Sequence, residues 1–449
     1  MWSVEIGKNF KSKHLLLNMK VMQVIHGYPP EYNAGSENYT KTITEELLRQ
    51  GHSLFVFSRE ENPFLPEYNL RKEIENKGKL TKYTINLART KDRFINMGVN
   101  LKFIKVLESV QPDIVHFQHL NHLSLSLPLE VGKMNIPSIY TLHDFWLMCP
   151  RGQFLQTNLS GEPWNLCDGQ DDKKCAKICY NRYFTGKKDS NEDISYWTNW
   201  VKERMNNSRK VVQNIGAFVS PSRTVSDYFK QYFPQDKNKV QFLDYGFNLQ
   251  KLSGRKRVKE ERFVFGYIGT HIPAKGINYL INAIGQLHES AILRIWGRYR
   301  SDSTSYLKKL SMDVLDIKDK EIQWMGEFDG DRIVEQVFDN VDAIVVPSIW
   351  LENSPLVIHE AQQVGVPVIT ADVGGMREYV ENGVNGLTFD FRNVKSLTEK
   401  MEIFLRQPEF AKVLGSKRYL YTDSGDIPSV EHHVNRLLEL YNKLISQHT

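Results

Sequence analysis

The chain has few cysteines, no long apolar run and only a small excess of positive over negative charge. It has only four cysteines among 449 residues, and no apolar run approaches the roughly 20 residues that a membrane-spanning helix needs. Its 58 Lys and Arg residues nearly balance its 53 Asp and Glu residues, and a net charge of +5 is too small for a dedicated nucleic-acid-binding protein. The length and the 41% hydrophobic fraction predict a globular protein of two or three domains.

The first 18 residues are basic, and their longest apolar run is only Leu15–Leu17. Because a secretion signal needs a longer apolar core, we interpret residues 1–18 as a loose extension ahead of Met19. The predicted location is the cytoplasm, where cysteines stay reduced. The basic extension would also suit a peripheral position at the inner face of a membrane.

Short apolar runs rich in β-branched residues alternate with helical stretches along the whole chain. In the first half these runs are Val21–Ile25, Leu54–Phe57, Ile114–Phe117, Ile139–Leu142 and Phe218–Ser220. In the second half they are Phe263–Ile268, Leu293–Trp296, Ile322–Met325, Ala343–Val346 and Val368–Thr370. Such runs are typical of buried parallel strands, which helices join by right-handed crossovers. The pattern predicts an α/β protein with two Rossmann-like domains, each a doubly wound parallel sheet.

A polar and basic segment, Asn248–Glu261, separates the two series of strands and has the composition of a linker. We therefore expect residues 19–248 to form the first domain and residues 249–427 the second. Residues 428–449 contain an amphipathic helix that follows the second sheet, and we expect it to return to the first domain. Residues 149–214 show poor periodicity, which predicts an insertion or lid rather than part of a sheet.

The segment after the strand run Ala343–Val346 has the features of an anion-binding loop. Pro355 suits the first turn of a helix, and Ser354 is a suitable N-cap. The free N–H groups of such a helix lie at the carboxyl end of a parallel strand, where open α/β sheets bind nucleotides. Glu352 and Glu360 could accept hydrogen bonds from the hydroxyls of a sugar or ribose. Their spacing alone carries little information, because two solvated glutamates would give the same pattern.

Two further turns join a strand to a helix and could contact phosphate. In the second half of the chain, Gly269 permits close approach of the backbone, and Lys275 can direct a cation at a phosphate. In the first half, the turn at Gly35 and Ser36 precedes a helix and is again suited to an anion. An ordinary turn with an N-cap remains an equally good interpretation of Gly35 and Ser36.

Polar side chains also follow the strand run Ile139–Leu142. His143 and Asp144 lie where polar groups meet a ligand rather than the core, although a histidine at the end of a strand is often structural. His116 and His119 are weaker candidates of the same kind.

Taken together, these motifs resemble glycosyltransferase family 4. The resemblance also includes Val373–Glu378, Asn382–Gly386 and Gly51–His52, and it runs in family order from Met19 to the last helix. It implies the GT-B fold, in which two Rossmann-like domains face each other across a cleft. It also implies a retaining hexosyltransferase that uses a nucleotide diphosphate sugar and needs no catalytic metal. UDP-glucose is the expected donor, a saccharide or lipid-linked saccharide the expected acceptor, and polysaccharide biosynthesis the expected role.

The resemblance assigns a role to individual residues. Glu360 would hold the ribose, Glu352 the sugar hydroxyls, and Lys275 the diphosphate, while His143 would touch the transferred sugar. The expected catalytic residues are Lys275, His143 and Glu352. The expected residues of the donor-binding site are Gly35, Gly269, Thr270, Lys275, Arg298, Glu352, Asn353, Ser354, Leu356, Val357 and Glu360.

One position departs from the family pattern. Where the family commonly has Arg after the glycine, this chain has Thr270, so the second cation for the phosphates is missing from its usual place. Arg298 and His271 are the two candidates to replace it.

Two patterns suggest metal sites. The triplet Asp329-Gly-Asp331 is of the kind that binds a divalent metal in other glycosyltransferases, but here it is typical of a turn and N-cap before a helix. All four cysteines fall in one short segment, at Cys149, Cys167, Cys175 and Cys179. They predict either a structural zinc site that closes a lid over the acceptor side, or free thiols.

Two other classes of function compete with a transferase. The cysteines and nearby lysines suggest a zinc-stabilised nucleic-acid-binding module, but the chain lacks a basic recognition helix or a sheet of interleaved aromatic and basic residues. A sugar-nucleotide epimerase or a phosphorylase on the same GT-B scaffold remains open, because each would use the same donor motifs.

Overall fold

The computed structural model describes residues 18–89, 93–158, 164–186, 193–314 and 320–448. The basic extension expected before Met19 falls almost wholly outside the described residues. Within the described part of the chain, no helix combines the length and the apolar character needed to cross a membrane.

The first half of the chain forms an eight-stranded sheet. Its strands are β1 (Lys20–Ile25), β2 (Ser53–Glu60), β3 (Leu70–Glu75), β4 (Leu80–Asn86), β5 (Ile114–His119), β6 (Ser138–Thr141), β7 (Ala217–Ser220) and β8 (Val240–Phe242). Their spatial order is β3-β4-β2-β1-β5-β6-β7-β8, and only β3 and β4 pair antiparallel. The order reverses between β1 and β5, so the loops after these two strands diverge and leave a crevice where such sheets bind ligands.

The second half forms a six-stranded sheet. Its strands are β9 (Phe263–Ile268), β10 (Ala291–Trp296), β11 (Lys320–Gly326), β12 (Ala343–Val346), β13 (Val368–Ala371) and β14 (Gly386–Phe389). All pairs are parallel in the order β11-β10-β9-β12-β13-β14. Here the order reverses between β9 and β12, which brings the loops after these strands to the same point on the sheet edge.

Helices join the strands of both sheets. In the first half they are α1 (Gly35–Arg49), α2 (Met97–Val110), α3 (Leu127–Lys133), α4 (Asp172–Lys174), α5 (Arg182–Thr185), α6 (Ile194–Asn214) and α7 (Arg223–Tyr232). In the second half they are α8 (Ile277–Gln286), α9 (Ser301–Val314), α10 (Ile333–Gln336), α11 (Leu356–Gln363), α12 (Met376–Tyr379), α13 (Val394–Arg406), α14 (Pro408–Ser416) and α15 (Val430–Ser446). The prediction of an α/β protein with two Rossmann-like sheets is confirmed.

Every strand run expected from the sequence overlaps a strand of the structure, but sequence analysis missed β3, β4, β8 and β14. Strand β3 is the clearest case, because it lies at the sheet edge and carries Arg71, Lys72 and Glu73 rather than an apolar run. Charged residues are common in edge strands, where they discourage pairing with another chain. Strand β4 alternates buried and half-buried residues over part of its length, so it also lacks a continuous apolar run.

The segment over residues 149–214 contributes no strand to either sheet within its described part. It does contain α6, a helix of 21 residues that the sequence did not reveal. The apolar face of α6 is narrow, with Trp197, Val201, Met205, Val211 and Val212 among its buried residues. The other residues of α6 include many Asn, Lys and Arg, so the helical spacing of its apolar residues is hard to see in the sequence.

The last helix, α15, packs against α1 of the first sheet's domain. The Tyr39 hydroxyl lies 2.7 Å from His433 Nε2, and His116 Nδ1 lies 2.6 Å from the Tyr441 hydroxyl. All four side chains are buried. These contacts attach the end of the chain to the domain in which it begins.

Candidate active site

The N-termini of two helices, one from each sheet's half of the chain, lie close together. A Cβ atom added at Gly35, the first residue of α1, would lie 3.7 Å from Leu356 Cδ1 at the start of α11. The first N–H groups of a helix have no intrahelical acceptor, and the helix dipole places partial positive charge there. This part of the cleft is therefore suited to a polyanion such as a diphosphate.

Lys275 and Glu352 meet at the point where the second sheet reverses its order. Lys275 Nζ donates a hydrogen bond to Glu352 Oε1 at 2.6 Å, and the Ser348 hydroxyl donates to the same oxygen at 2.6 Å. Glu352 is buried, whereas the Lys275 side chain is 30% exposed. The ammonium group also lies 5.8 Å from the centre of the Trp350 ring. Lys275 thus neutralises the charge of a buried carboxylate, while its side chain stays partly exposed to the cleft.

Two glycines support the loop that carries Glu352. The Gly375 N–H donates to the Glu352 carbonyl at 2.8 Å, and a Cβ at Gly375 would lie 1.3 Å from the Asn353 carbonyl oxygen. Gly374 has a φ of +59°, close to the backbone of Leu351. Only residues without a side chain can pack this closely, so the Gly374–Gly375 pair positions the glutamate.

Glu360 differs from Glu352 because no described residue hydrogen-bonds to its carboxylate. It lies on α11, is half-buried, and burial raises its pKa to about 7. A carboxyl group in this position lacks the hydrogen bonds that would stabilise its charged form. Hydroxyl groups of a ligand could supply them.

His143 lies beyond the end of β6 and is half-buried. Its Nε2–H donates to Gln118 Oε1 at 2.9 Å, and its Nδ1 accepts from the Tyr245 hydroxyl at 2.7 Å. Burial, together with the nearby His119, His116 and His26, holds its pKa well below the usual value. His143 is therefore neutral at physiological pH.

Asp144, by contrast, does not hydrogen-bond to His143. Its carboxylate lies 3.2 Å from His119 Nε2, and the His119 ring contacts the His26 ring with centres 4.8 Å apart. His26 Nε2 lies 3.2 Å from the carboxylate of the buried Glu37. Burial opposes ionisation of Glu37, but hydrogen bonds from His26 and Ser36 keep its pKa below the usual value.

Sequence analysis did not select His26 or Glu37. The only available signals were that His26 directly follows β1 and that Glu37 lies in the first turn of α1. Both signals are local, and neither indicates that the two side chains meet.

Arg298 reaches across the cleft. Its guanidinium donates to Asn33 Oδ1 in the loop before α1 and lies 3.7 Å from Glu327. His271, the other candidate to replace the missing arginine, is buried, and its Nδ1 lies 3.1 Å from the Thr304 hydroxyl. Burial and the charge of Lys308 lower the pKa of His271. Of the two, Arg298 is the charged group at the cleft.

Gly269 and Thr270 form the turn that places Arg298 nearby. A Cβ at Gly297 would lie 1.9 Å from the Gly269 carbonyl oxygen, so the turns after β9 and β10 are in direct contact. The Thr270 carbonyl accepts a hydrogen bond from the Tyr267 hydroxyl at 3.4 Å.

Asn353 and Ser354 contact the other half of the molecule. Asn353 Nδ2 donates to the Leu142 carbonyl at 2.8 Å, and its Oδ1 accepts from the Ser222 hydroxyl at 2.6 Å. The prediction that Ser354 caps α11 is wrong, because Pro355 is the N-cap residue and no side chain caps the helix. The Ser354 hydroxyl instead donates to Asp244 Oδ1 at 3.2 Å.

Asp244 is a buried carboxylate that sequence analysis missed. It lies 2.9 Å from His359 Nε2 on α11 and accepts from the Tyr419 hydroxyl at 2.7 Å. Although burial opposes it, these partners hold the pKa of Asp244 below its usual value. Because Asp244 follows β8 and His359 lies on α11, this network connects the two halves of the chain.

The predicted metal sites have different outcomes. The Asp329 side chain accepts from the Asp331 N–H and caps the following turn, as expected. All four cysteines carry free thiols, and Cys149, Cys175 and Cys179 are buried. Among the residues that the structure describes, no group of three or more His, Cys, Asp or Glu side chains could hold a metal ion. Zinc binding therefore stays a prediction without geometric support.

Two Rossmann-like sheets that face each other across a cleft, with helix N-termini on both sides, are the arrangement of the GT-B fold. The model of "Glycosyltransferase Family 4" matches residues 33–251, and the model of "Glycosyl transferases group 1" matches residues 250–420. The chain belongs to glycosyltransferase family 4, as the sequence motifs predicted.

Curated relatives match the chain over different lengths. The chain is 24% identical over 389 residues to an uncharacterized 42.6 kDa protein from the cps region of Klebsiella pneumoniae, covering 80% of this chain and 87% of the relative. Two other curated relatives are matched over only 44% and 64% of their own length.

Solved structures share the fold at low sequence identity. Sucrose-phosphate synthase from Thermosynechococcus elongatus superposes with a TM-score of 0.69 and 17% identity, covering 96% of this chain and 100% of the other. Anabaena HepE in complex with UDP and glucose gives a TM-score of 0.60 and 14% identity, covering 96% of this chain and 98% of the other. These similarities extend over both domains of the GT-B fold.

Proposed function

We propose that this glycosyltransferase moves a hexose from a nucleotide diphosphate sugar to a saccharide acceptor, with retention of anomeric configuration. The observation that carries the proposal is the proximity of the α1 and α11 N-termini, with Lys275 bound to Glu352 in the loop before α11. Two helix ends and a partly exposed ammonium group form a site for a diphosphate.

In this proposal each part of the donor has a defined partner. The backbone N–H groups of Leu356 and Val357, the turn at Gly35, and Lys275 bind the diphosphate. Arg298 supplies the second cation, because it lies at the cleft while His271 is buried. Glu360 accepts hydrogen bonds from the two ribose hydroxyls, which supply the partners that its carboxylate otherwise lacks.

Glu352 is assigned to the hydroxyls of the transferred hexose, together with the neutral His143. Lys275 and Ser348 both donate to Glu352 Oε1, and no described residue donates to its other carboxylate oxygen, so the carboxylate retains capacity for a sugar hydroxyl. His143 could contact the same sugar from the first domain after a small rearrangement of its bond to Tyr245 or Gln118.

The chemical step follows from how charge develops. As the glycosidic bond to the diphosphate breaks, negative charge grows on the leaving group, and Lys275 with the helix N–H groups stabilises it. The acceptor hydroxyl attacks from the face that the diphosphate leaves and gives its proton to the departing phosphate oxygen. This route retains configuration without a protein nucleophile. We expect activity without a divalent metal, because protein groups perform the stabilisation.

UDP-glucose is the proposed donor, since uridine donors are frequent in the family and the similar HepE structure contains UDP and glucose. The proposed acceptor is a saccharide or lipid-linked saccharide of polysaccharide synthesis, at the cytoplasmic face of a membrane. A relative from a cps region is compatible with that role.

Thermal unfolding across a panel of nucleotide diphosphates and their sugars tests the donor site, because a ligand that binds the native state raises the Tm. Incubation of the best donor with and without acceptor then tests the reaction. A transferase needs an acceptor, an epimerase alters the sugar without one, and a phosphorylase needs orthophosphate. No stabilisation by any nucleotide in the panel would contradict the proposal.

A further inference from the structure

A cavity outside the donor site lies in the first domain, between the loops after β5 and β6 and the helical insertion. It encloses about 190 Å³, more than ten times the roughly 10–15 Å³ that one water molecule needs. Trp146 from the β6 loop and Arg204 from α6 form part of its wall, together with Arg93 and Arg151. None of these residues has a role in the donor site.

Arg204 is a buried cation that forms no ion pair within the part of the chain that the structure describes. The side chain is 1% exposed, and its guanidinium donates to the Trp146 carbonyl and lies 4.5 Å from the centre of the Trp146 ring. It forms no ion pair with any carboxylate that the structure describes. The nearby Asp144 is already held by His119 and by the Trp146 N–H at 2.8 Å. An unpaired buried charge is costly, so the cavity carries positive charge that an anion could balance.

Two more guanidinium groups share this cavity. Arg151 lies 5.5 Å over the ring of Tyr183, and Arg93 donates to the Tyr68 hydroxyl at 3.2 Å. Neither pairs with an acidic side chain within the described ranges. Arginine is suited to carboxylate and phosphate because its planar fork can form two parallel hydrogen bonds. Three arginines on one cavity wall therefore indicate an anionic ligand.

The remaining wall is largely aromatic, with Phe94, Trp146, Tyr180, Tyr183 and Trp200. Aromatic walls with a few charged groups are typical of sites for small organic ligands rather than for a simple ion. The Trp146 ring lies 5.4 Å from the His119 ring, and His119 contacts His26 beside the N-terminus of α1. The cavity thus adjoins the first-domain side of the cleft.

We infer that this cavity binds the acceptor and selects one that carries a negatively charged group, either a sugar carboxylate or a phosphate. The inference rests on the proposed function, because it assumes that the second substrate enters from the first domain. The arginines hold the charged group, and the aromatic side chains pack against the sugar ring. The acceptor hydroxyl then lies toward the cleft.

Calorimetry on the full-length protein, with and without saturating UDP, tests this inference. The probes are methyl β-D-glucuronide against methyl β-D-glucoside, and glucose 1-phosphate against glucose. In at least one of these pairs, we expect the charged sugar to bind about 10- to 100-fold more tightly than its neutral partner. This is the range for a hydrogen bond to a charged group. The pair that shows the preference distinguishes a carboxylate from a phosphate.

The arginine variants show whether the cavity causes the preference. Arg151→Ala and Arg93→Ala should each reduce it, and the double variant should abolish it. Arg209→Ala is the matched control, since Arg209 lies exposed on the same helix as Arg204 and should leave the preference unchanged. Affinity for UDP should be equal in all variants, which separates a failed donor site from a failed acceptor site.

Three results would overturn the inference. Neutral and charged sugars could bind equally, the preference could survive the double arginine variant, or no sugar could bind below about 20 mM. If UDP fails to bind the unaltered protein while the charged preference is present, the donor proposal fails and this one stands.

Discussion

Replacing Glu360 by Gln provides a sharp test of the donor site, because it removes the charge and keeps the shape. Burial raises the pKa of Glu360 to about 7, so the carboxyl group is partly protonated in the free protein at neutral pH. Ribose hydroxyls that donate to the carboxylate favour its charged form and lower this pKa. Donor binding should therefore release a proton and weaken as the pH falls below 7.

The magnitude follows from the titration. A group with a pKa of about 7 is mostly charged at pH 8 and mostly protonated at pH 6. If only the charged form of Glu360 binds the two ribose hydroxyls, donor affinity should fall about tenfold from pH 8 to pH 6. Loss of charge-assisted hydrogen bonds in Glu360→Gln should raise donor Kd by about 10- to 100-fold at pH 8. The variant should lack most of the pH dependence.

The same substitution should have the opposite effect on the stability of the free protein. Because the folded-state pKa of about 7 exceeds the ordinary value of 4.5, the charged form is disfavoured in the folded state. This destabilisation is absent below the unfolded-state pKa, grows as the pH rises, and is complete above the folded-state pKa. Without ligand, Glu360→Gln should be more stable than the parent protein at pH 8 by about 1–3 kcal/mol, and nearly equal at pH 4.

Calorimetry with UDP-glucose at several pH values, beside urea unfolding of both proteins, measures these quantities. UDP-glucose is preferable to UDP, because the terminal phosphate of UDP itself titrates near neutral pH. Unchanged affinity in Glu360→Gln, or the same pH dependence in both proteins, would refute the assignment of Glu360 to the ribose.

Other parts of the mechanism give separate expectations. Lys275→Ala should lower kcat by about 10²- to 10³-fold in steady-state assays, because its interaction strengthens as the diphosphate departs; a change confined to KM would argue against that role. Glu352→Ala should reduce turnover of the nucleotide sugar but hardly alter UDP binding, and if it weakens UDP binding more than Glu360→Gln does, the two glutamates have been interchanged. Activity should persist in EDTA, whereas loss that Mn²⁺ or Mg²⁺ restores would show a metal requirement. Zinc in the cysteine segment is checked by metal analysis of protein purified without a polyhistidine tag, and less than about 0.2 Zn per chain would leave the idea without support.

The sequence was informative wherever the determining interactions are local. Apolar runs predicted the strands of both sheets, because a strand buried on both faces needs apolar residues throughout. The pattern around Glu352 and Glu360 predicted a strand, a loop and a helix, and the structure has β12 and α11 at these positions. The same local reasoning missed strand β3, because this strand lies at the exposed sheet edge and is charged. It also failed for Ser354, because the Ser354 hydroxyl bonds to Asp244, which is distant in sequence, instead of capping α11.

The amino-acid pattern alone was sufficient to predict the fold class, the family and the segments that could bind a donor. Which side chains contact each other follows from the tertiary packing, including the contacts of Lys275 with Glu352 and of Asn353 with the Leu142 carbonyl. It also brought Arg93, Arg151 and Arg204 to one cavity, although helices and loops separate them along the chain. The physical reason is that periodicity and capping depend on neighbours within one or two helical turns, whereas these contacts depend on how two complete sheets and an insertion pack together.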